Sequence, residues 1–398
     1  MPEPERTLIA AASVLGVARG ARGPGWVEVT GEAVTASGHG PCPGEPDLVL
    51  ADGHLVPGLV DAQLNGAFGT DFADASPADF ARIAHELTAT GTTSVVPTFI
   101  TAPVDELVTL LGSYGRVRST APGDGARLLP CHVEGPFLSS RRRGAHREHL
   151  LVDPTSDLVR ALVEASPGDL GYVTLAPERD GAIDAVRQLA TAGVAVAVGH
   201  SDAGDDVVRA AADAGATLVT HLYNAQRPLH HRDPGVVGAG LADPRLTLGL
   251  IVDLHHVEPT AVRLAFAAAG GRVMLVTDAV AALGMPPGTY ELGGEALTVA
   301  DGSPPLRADG TIAGSAVRMD DAVAHTVSCG IDLATAVDAA TRVPADALGR
   351  PDLGRLSPGT LADLVWLDDG LRCRATWIGG RLVWSDPTRP LDPEQEQA

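Results

Sequence analysis

Eight apolar segments alternate with stretches of helical pattern, and this alternation constrains the fold more than any other feature of the chain. Most of the segments are continuous hydrophobic runs, as expected of strands buried on both faces of a parallel sheet. Helical stretches between them, such as residues 78–91 and 184–193, end in glycine, a usual helix stop. Eight strand–helix alternations over about 220 residues predict an α/β fold of the TIM-type (β/α)8 barrel class. The eight runs are LVDAQL (59–64), TSVVPTF (93–99), RLLPCHVE (127–134), GYVTLAP (171–177), VAVAVGH (194–200), TLVTH (217–221), TLGLIVD (247–253) and VMLVTD (273–278).

The two ends of the chain have a different pattern, with short β-like runs separated by turns. Examples are WVEV and DLVL near the start, and LADLVWL and CRATWIGGRLVW near the end. Neither end is long enough to hold a hydrophobic core alone. We therefore predict that residues 1–57 and 345–398 pair into one small β-sandwich domain beside a barrel of residues 58–344.

Charge and cysteine content limit the partners and the compartment. The net charge of −21 argues against nucleic acid or an anionic membrane, because both need a basic footprint. No apolar run approaches the roughly 20 residues of a membrane span. The four cysteines show no metal or redox spacing, which favours a reduced, cytoplasmic protein. An anionic substrate would need local positive charge, and the one dense basic run, Arg141–Arg143, could equally be a solvated loop.

Several predicted strands end in an ionisable side chain. The third, fifth, sixth and eighth end in Glu134, His200, His221 and Asp278. Each has an ordinary explanation by itself, as a hydrogen-bonded core histidine or a helix cap. In a (β/α)8 barrel, however, the carboxyl ends of the strands meet at one face. A buried ionised glutamate needs a partner such as a cation, and one carboxylate with two imidazoles suits a divalent ion. Asp278 would then be available as a base.

Motifs along nearly the whole chain strengthen this interpretation. In their order, they resemble those of the amidohydrolase superfamily and, within it, the family of N-acetylglucosamine-6-phosphate deacetylases. The closing segment, residues 354–368, is similar to the last β-segment of that superfamily. The matching motifs are PGLVDAQLNG (57–66), HVEGPF (132–137), RRGAHRE (142–148), VGHSDA (198–203), THLYNAQRP (220–228), RDPGVVGAGL (232–241), IVDLHHV (251–257), LVTDAVAALG (275–284) and GTIAGSAVRM (310–319).

The resemblance implies a reaction and a set of residue roles. The reaction is hydrolysis of the acetamide of N-acetylglucosamine 6-phosphate to glucosamine 6-phosphate and acetate. The implied metal ligands are the glutamate and two histidines named above, and the implied base is Asp278. A functional homodimer is also implied, in which His256 and Arg232 complete the neighbouring site. The residues implied to contact the substrate are His146 at the acetamide, Asn224 and Ala225 in a binding turn, and Arg232 and His256 at the phosphate.

The end of the first strand bears on the number of metal ions. Many amidohydrolases carry His-x-His there and bind a second ion, whereas this chain has Gln63 and Asn65. Neutral amides are poor ligands for zinc or iron. Some deacetylases of the family share the QLN pattern and resemble one-metal enzymes. We predict one divalent ion, with zinc first and Fe²⁺, Co²⁺ or Mn²⁺ also suited.

Alternatives remain open at this stage. The same chemistry could act on a related acetamido sugar, such as N-acetylgalactosamine 6-phosphate or a biosynthetic intermediate. A non-catalytic assembly protein of the same fold would usually have lost ligands or the base, and a cyclic-amide hydrolase would more often show His-x-His. The neighbours His231 and His255 leave open which residue of each pair points inward, and Arg227 could be an extra anion contact.

Overall fold

The computed structural model describes residues 5–121, 123–389 and 391 of the chain. The strands before the first long helix are β1 (Arg6–Val14), β2 (Gly23–Thr30), β3 (Ala33–His39), β4 (Leu48–Leu50), β5 (His54–Pro57), β6 (Leu59–Leu64), β7 (Gly66–Ala67) and β8 (Thr70–Asp71). The later strands are β9 (Thr92–Ile100), β10 (Arg127–Leu128), β11 (Cys131–Glu134), β12 (Leu170–Leu175), β13 (Ala195–Val198), β14 (Leu218–Val219), β15 (Thr247–Leu250), β16 (Val273–Leu275), β17 (Gly288–Leu292), β18 (Glu295–Val299), β19 (Leu364–Leu367), β20 (Cys373–Ile378) and β21 (Arg381–Ser385).

Parallel strands form a nearly closed barrel, as the eight apolar runs predicted. The ladder runs β6, β9, then β10 with β11, and onward through β12, β13, β14, β15 and β16. The third run is split at Pro130, which has no N–H for a ladder, but both pieces pair with β9 and act as one barrel strand. Backbone bonds then join the last strand to the first. The Asp278 amide donates to the Gln63 carbonyl at 2.9 Å, and the Asn65 amide donates to the Ala279 carbonyl at 2.8 Å.

Helices cover the outside of the barrel. The α-helices are α1 (Pro77–Leu87), α2 (Val104–Thr120), α3 (Ser156–Ala165), α4 (Ala182–Thr191), α5 (Asp205–Ala214), α6 (Gly235–Ala242), α7 (Pro259–Ala269), α8 (Met319–Ser328), α9 (Leu333–Ala340) and α10 (Arg342–Ala347). Helix α1 shows why these segments fold as they do. A capping box between Ser76 and Asp79 begins it, and its apolar stripe, including Phe80 and Ile83, is buried. In the described parts of the chain, no helix combines the length and apolar character needed to cross a membrane.

Both chain ends build a second sheet beside the barrel, which confirms that part of the predicted fold. Its strand order is β21-β20-β19-β5-β1-β2-β3, with β4 paired to β1. Residues from both ends, among them Val27 and Trp377, share a separate hydrophobic cluster. The division of the chain at 57/58 and 344/345 stays a prediction.

A hairpin of β17 and β18 lies between the last barrel strand and α8, where sequence patterning predicted no element. Its residue Leu292 is buried with Val280 and Ala313. The hairpin therefore packs at the carboxyl-end face of the barrel, where the strand-end side chains gather.

Candidate active site

Three strand-end side chains meet at the mouth of the barrel. Oε1 of Glu134, at the end of β11, lies 3.1 Å from Nε2 of His200 and 3.0 Å from Nε2 of His221. The two imidazole nitrogens are 3.0 Å apart. These histidines follow β13 and β14, so residues 66 and 87 positions beyond the glutamate in the chain share one point in space.

The chemistry of these donors fits a divalent cation. His200 donates its Nδ1 proton to the carbonyl oxygen of Arg142 at 2.9 Å, and this contact directs Nε2 toward the cluster. Burial would raise the pKa of Glu134, but its close contacts with His200 and His221 outweigh it and hold that pKa well below its usual range. Ligands about 2.0–2.1 Å from a zinc ion in a tetrahedral arrangement lie about 3.4 Å apart, close to the spacing seen here. An anionic oxygen and two imidazole nitrogens converging in this way suit a metal ion.

Asp278 lies beside the cluster and is held by two amides. Its Oδ1 accepts from Nδ2 of Asn65 at 2.7 Å and from Nε2 of Gln63 at 3.1 Å. Burial, together with repulsion from Glu134, raises the pKa of Asp278 to about 6. The residues that replace His-x-His in this chain are therefore hydrogen-bond donors that orient a carboxylate, a role that sequence reasoning did not foresee.

A cavity of about 200 Å³ opens over these groups. Besides the cluster and Asp278, its walls include His146, Asn224, Ala225 and His256. Leu292 from the hairpin also contributes to the wall. Four of the five residues predicted to contact substrate thus border one cavity with the candidate ligands.

His146 is buried between the cluster and Thr101. Its Nδ1 is 2.8 Å from the Thr101 hydroxyl, and its Nε2 is 3.9 Å from Oε2 of Glu134. Burial, reinforced by the charge of His200, lowers the pKa of His146 to about 3, so the ring is neutral. The Thr101 hydroxyl also lies 3.2 Å from the Glu134 carbonyl oxygen, and its single proton can serve only one of the two neighbours.

The residues predicted at the phosphate occupy different positions. His256 borders the cavity of its own chain, and its Nδ1 donates to Asp253 at 2.7 Å. Asp253 also accepts the backbone amides of His255 and His256, which turns His256 inward and leaves His255 exposed. Asp253 precedes His256 by three residues in DLHHV, and this spacing is a signal in the sequence that could have indicated the pair. Arg232 is different, because it is exposed and the described cavity walls do not include it.

The neighbours of Arg232 form contacts outside the cavity. Nη1 of Arg232 lies 2.8 Å from Nε2 of His231, and both residues are exposed. Arg227 forms an ion pair with Asp233 and donates to the Asp202 carbonyl at 3.3 Å. Completion of a neighbouring site by Arg232 and His256 stays a prediction.

The backbone is strained at the strand ends that carry the site. His200, His221 and Asp278 have positive φ values of 47°, 25° and 48°. Residues other than glycine rarely adopt this left-handed region, and such strain concentrates at functional sites. The turn that includes Ala225 at the cavity wall has the same feature, with φ of 50°.

An eight-stranded parallel barrel with a Glu-His-His cluster and an adjacent aspartate at its strand ends defines a class of proteins, the metal-dependent barrel hydrolases. Residues 54–383 match the model of the amidohydrolase family, and the chain belongs to this family.

Individual relatives show which members of the family the chain resembles. The chain is 39% identical over 331 residues to an N-acetylgalactosamine-6-phosphate deacetylase of Escherichia coli, covering 83% of this chain and 87% of that protein. It is 38% identical over 349 residues to the N-acetylglucosamine-6-phosphate deacetylase of Bos taurus, covering 84% and 85% of the two chains. The fold matches a structure of N-acetyl-D-glucosamine-6-phosphate deacetylase from Mycobacterium smegmatis with a TM-score of 0.90 and 38% identity, covering 96% of this chain and 100% of that chain.

Proposed function

We propose that this protein is a metal-dependent deacetylase that hydrolyses N-acetylglucosamine 6-phosphate to glucosamine 6-phosphate and acetate. One observation carries the proposal, namely that the cluster of Glu134, His200 and His221 and the carboxylate of Asp278 face a single cavity. Relatives that match more than four-fifths of the chain are deacetylases of phosphorylated N-acetyl amino sugars.

The proposed cofactor is one divalent ion held by Glu134, His200 and His221, with Zn²⁺ as the first candidate. Gln63 and Asn65 direct their amide N–H groups at Asp278, which supports a role as donors instead of ligands for a second ion. When bound, the ion lowers the pKa of water and polarises a carbonyl oxygen.

Asp278 is the proposed general base and then the general acid. Its Oδ1 accepts hydrogen bonds from the two amides, so we assign Oδ2 as the oxygen that accepts the proton from water. The carboxylate accepts a proton from water while the water oxygen bonds to the acetamide carbon. It then returns that proton to the nitrogen, because an amine leaves only once it is protonated, and the C–N bond breaks to release acetate.

His146 is proposed to hold the acetamide oxygen. We assign the ring proton of His146 to Nε2 in the substrate complex, which requires the Thr101 hydroxyl to turn its proton from the Glu134 carbonyl oxygen, 3.2 Å away, to Nδ1 of His146, 2.8 Å away. The neutral ring then carries its own proton on Nε2 and donates it to the oxygen as negative charge develops there. Removing one such donor typically costs about 10²–10³ in rate.

The substrate phosphate needs positive charge that this acidic chain must supply locally. We assign His256 to the phosphate, because Asp253 fixes its Nδ1 and leaves Nε2 for the cavity. We assign the exposed Arg232 to the site of a second subunit, since its planar guanidinium suits phosphate oxygens but does not border its own cavity. This assignment requires a functional homodimer. The four free cysteines support a location in the cytoplasm.

A second substrate is favoured by one observation, the 39% identity to a relative named for N-acetylgalactosamine 6-phosphate. A substrate panel separates the two. Acetate release would be measured with both 6-phosphates and with unphosphorylated N-acetylglucosamine, using metal-stripped protein to which Zn²⁺, Fe²⁺, Co²⁺ or Mn²⁺ is added. We expect activity that depends on added metal and favours N-acetylglucosamine 6-phosphate. No acetate release with any substrate and metal would overturn the proposal.

A further inference from the structure

Arg142 makes two hydrogen bonds that link it to His200 and to the residues just after His200. Its backbone carbonyl accepts the Nδ1 proton of His200 at 2.9 Å, and its Nε donates to Oδ1 of Asp202 at 2.8 Å. Asp202 comes only two residues after His200. One arginine therefore contacts the histidine ring with its backbone and the chain beyond that histidine with its side chain.

The residues just after His200 are also held by Glu178, three residues beyond β12. Its carboxylate accepts from the Ser201 hydroxyl at 2.7 Å and from the Asp202 amide at 2.6 Å. The Asp202 carboxylate is left for the arginines, with Arg141 as a weaker partner at 3.4 Å.

Apart from the Asp202 contact, the segment around Arg142 is joined to the end of β13 by a backbone bond, from the Ser139 amide to the His200 carbonyl oxygen at 3.0 Å. It is a short 3-10 turn, Ser140–Arg142, with no buried residue. Arg141 is largely exposed, and Gly144 follows with φ of 55°, where an added Cβ would lie 3.1 Å from Cε1 of His200. Within the turn, the bond to Asp202 is the one that holds the Arg142 side chain, and Arg142 also supplies the carbonyl on the His200 ring.

We propose that Asp202 is a positioning residue for the metal site, acting through Arg142 to hold the carbonyl that fixes His200 with Nε2 toward the ion. It touches neither substrate nor metal. Groups that hydrogen-bond the ring of a metal-binding histidine orient it, and their loss typically weakens metal binding about 10–100-fold. The Arg142 carbonyl is such a group, and Asp202 acts on it through the Arg142 side chain. The inference rests on the proposed function, because it assumes that His200 is a ligand.

The test is metal affinity in Asp202→Asn, with Asp206→Asn as the matched control. The control removes the same charge four residues away, at an exposed position in the first turn of α5. Affinity for Zn²⁺ would be measured by competition with a chromophoric chelator, and the ligand field by the visible spectrum of Co²⁺-loaded protein. We expect the Zn²⁺ dissociation constant to rise about 10–100-fold in Asp202→Asn, with an altered Co²⁺ spectrum, and neither change in the control.

Two further measurements distinguish positioning from general stability. The Tm of metal-free Asp202→Asn should match that of the control within about 2 °C. Arg142→Gln should weaken binding by a similar factor, and the double variant by no more than either single change, because each change removes the charge-assisted contact between Arg142 and Asp202. Three results would overturn the inference. They are wild-type Zn²⁺ affinity in Asp202→Asn, a double variant whose loss of affinity is the sum of the two single losses, and a Tm of metal-free Asp202→Asn more than about 2 °C below that of the control. If the wild-type protein binds no divalent ion, the proposed function itself fails.

Discussion

Replacing Asp278 with asparagine tests the proposed chemistry with little disturbance of the fold. The side-chain oxygen of asparagine can keep the bonds from Asn65 at 2.7 Å and Gln63 at 3.1 Å, so the side chain should stay in place. What is lost is an oxygen able to take and return a proton. One proton-transfer role is worth about 10²–10⁴ in rate, and this residue is assigned two of them. We expect kcat to fall by about 10³-fold or more, which corresponds to about 4 kcal/mol in the barrier.

The assay is acetate release by metal-loaded protein, with metal content and Tm measured on the same sample. Burial raises the pKa of Asp278 to about 6, so a neutral amide should not lower the Tm. The matched control is Asp61→Asn, another buried aspartate, whose pKa burial raises to about 7 and which lies outside the described cavity walls. It should stay within tenfold of wild type. Asp278→Asn activity within tenfold of wild type, with metal bound, would reject Asp278 as the base.

Three other substitutions test the phosphate contact, the tautomer of His146 and the buried carboxylate of Asp61. Arg232→Ala should raise KM strongly for the phosphorylated sugar and little for the unphosphorylated one, and equal effects would remove the phosphate assignment. Thr101→Val should lower kcat about tenfold or more with a small change in KM, since His146 loses the contact that sets its donor; unchanged kcat would contradict this. Asp61 has a pKa that burial raises to about 7, so its stabilising contribution is complete below about pH 4 and is lost as pH rises through 7. The Tm of metal-free wild type should therefore fall more between pH 6 and pH 8 than that of Asp61→Asn, and parallel curves would refute this.

The barrel was predictable because its strands are written as continuous apolar runs. The prediction of one barrel strand from the run interrupted at Pro130 is also confirmed, since both pieces pair with β9. The hairpin of β17 and β18 escaped prediction because its strands have exposed residues and little hydrophobic pattern.

The sequence by itself determined the strand-end chemistry, since parallel strands of a barrel bring Glu134, His200, His221 and Asp278 to one face wherever they lie along the chain. Only the tertiary structure decided how these groups are oriented. The carbonyl of Arg142 on the His200 ring and the amides of Gln63 and Asn65 on Asp278 all join distant segments. Such contacts depend on distances and directions in space, which no periodicity of residues along the chain encodes.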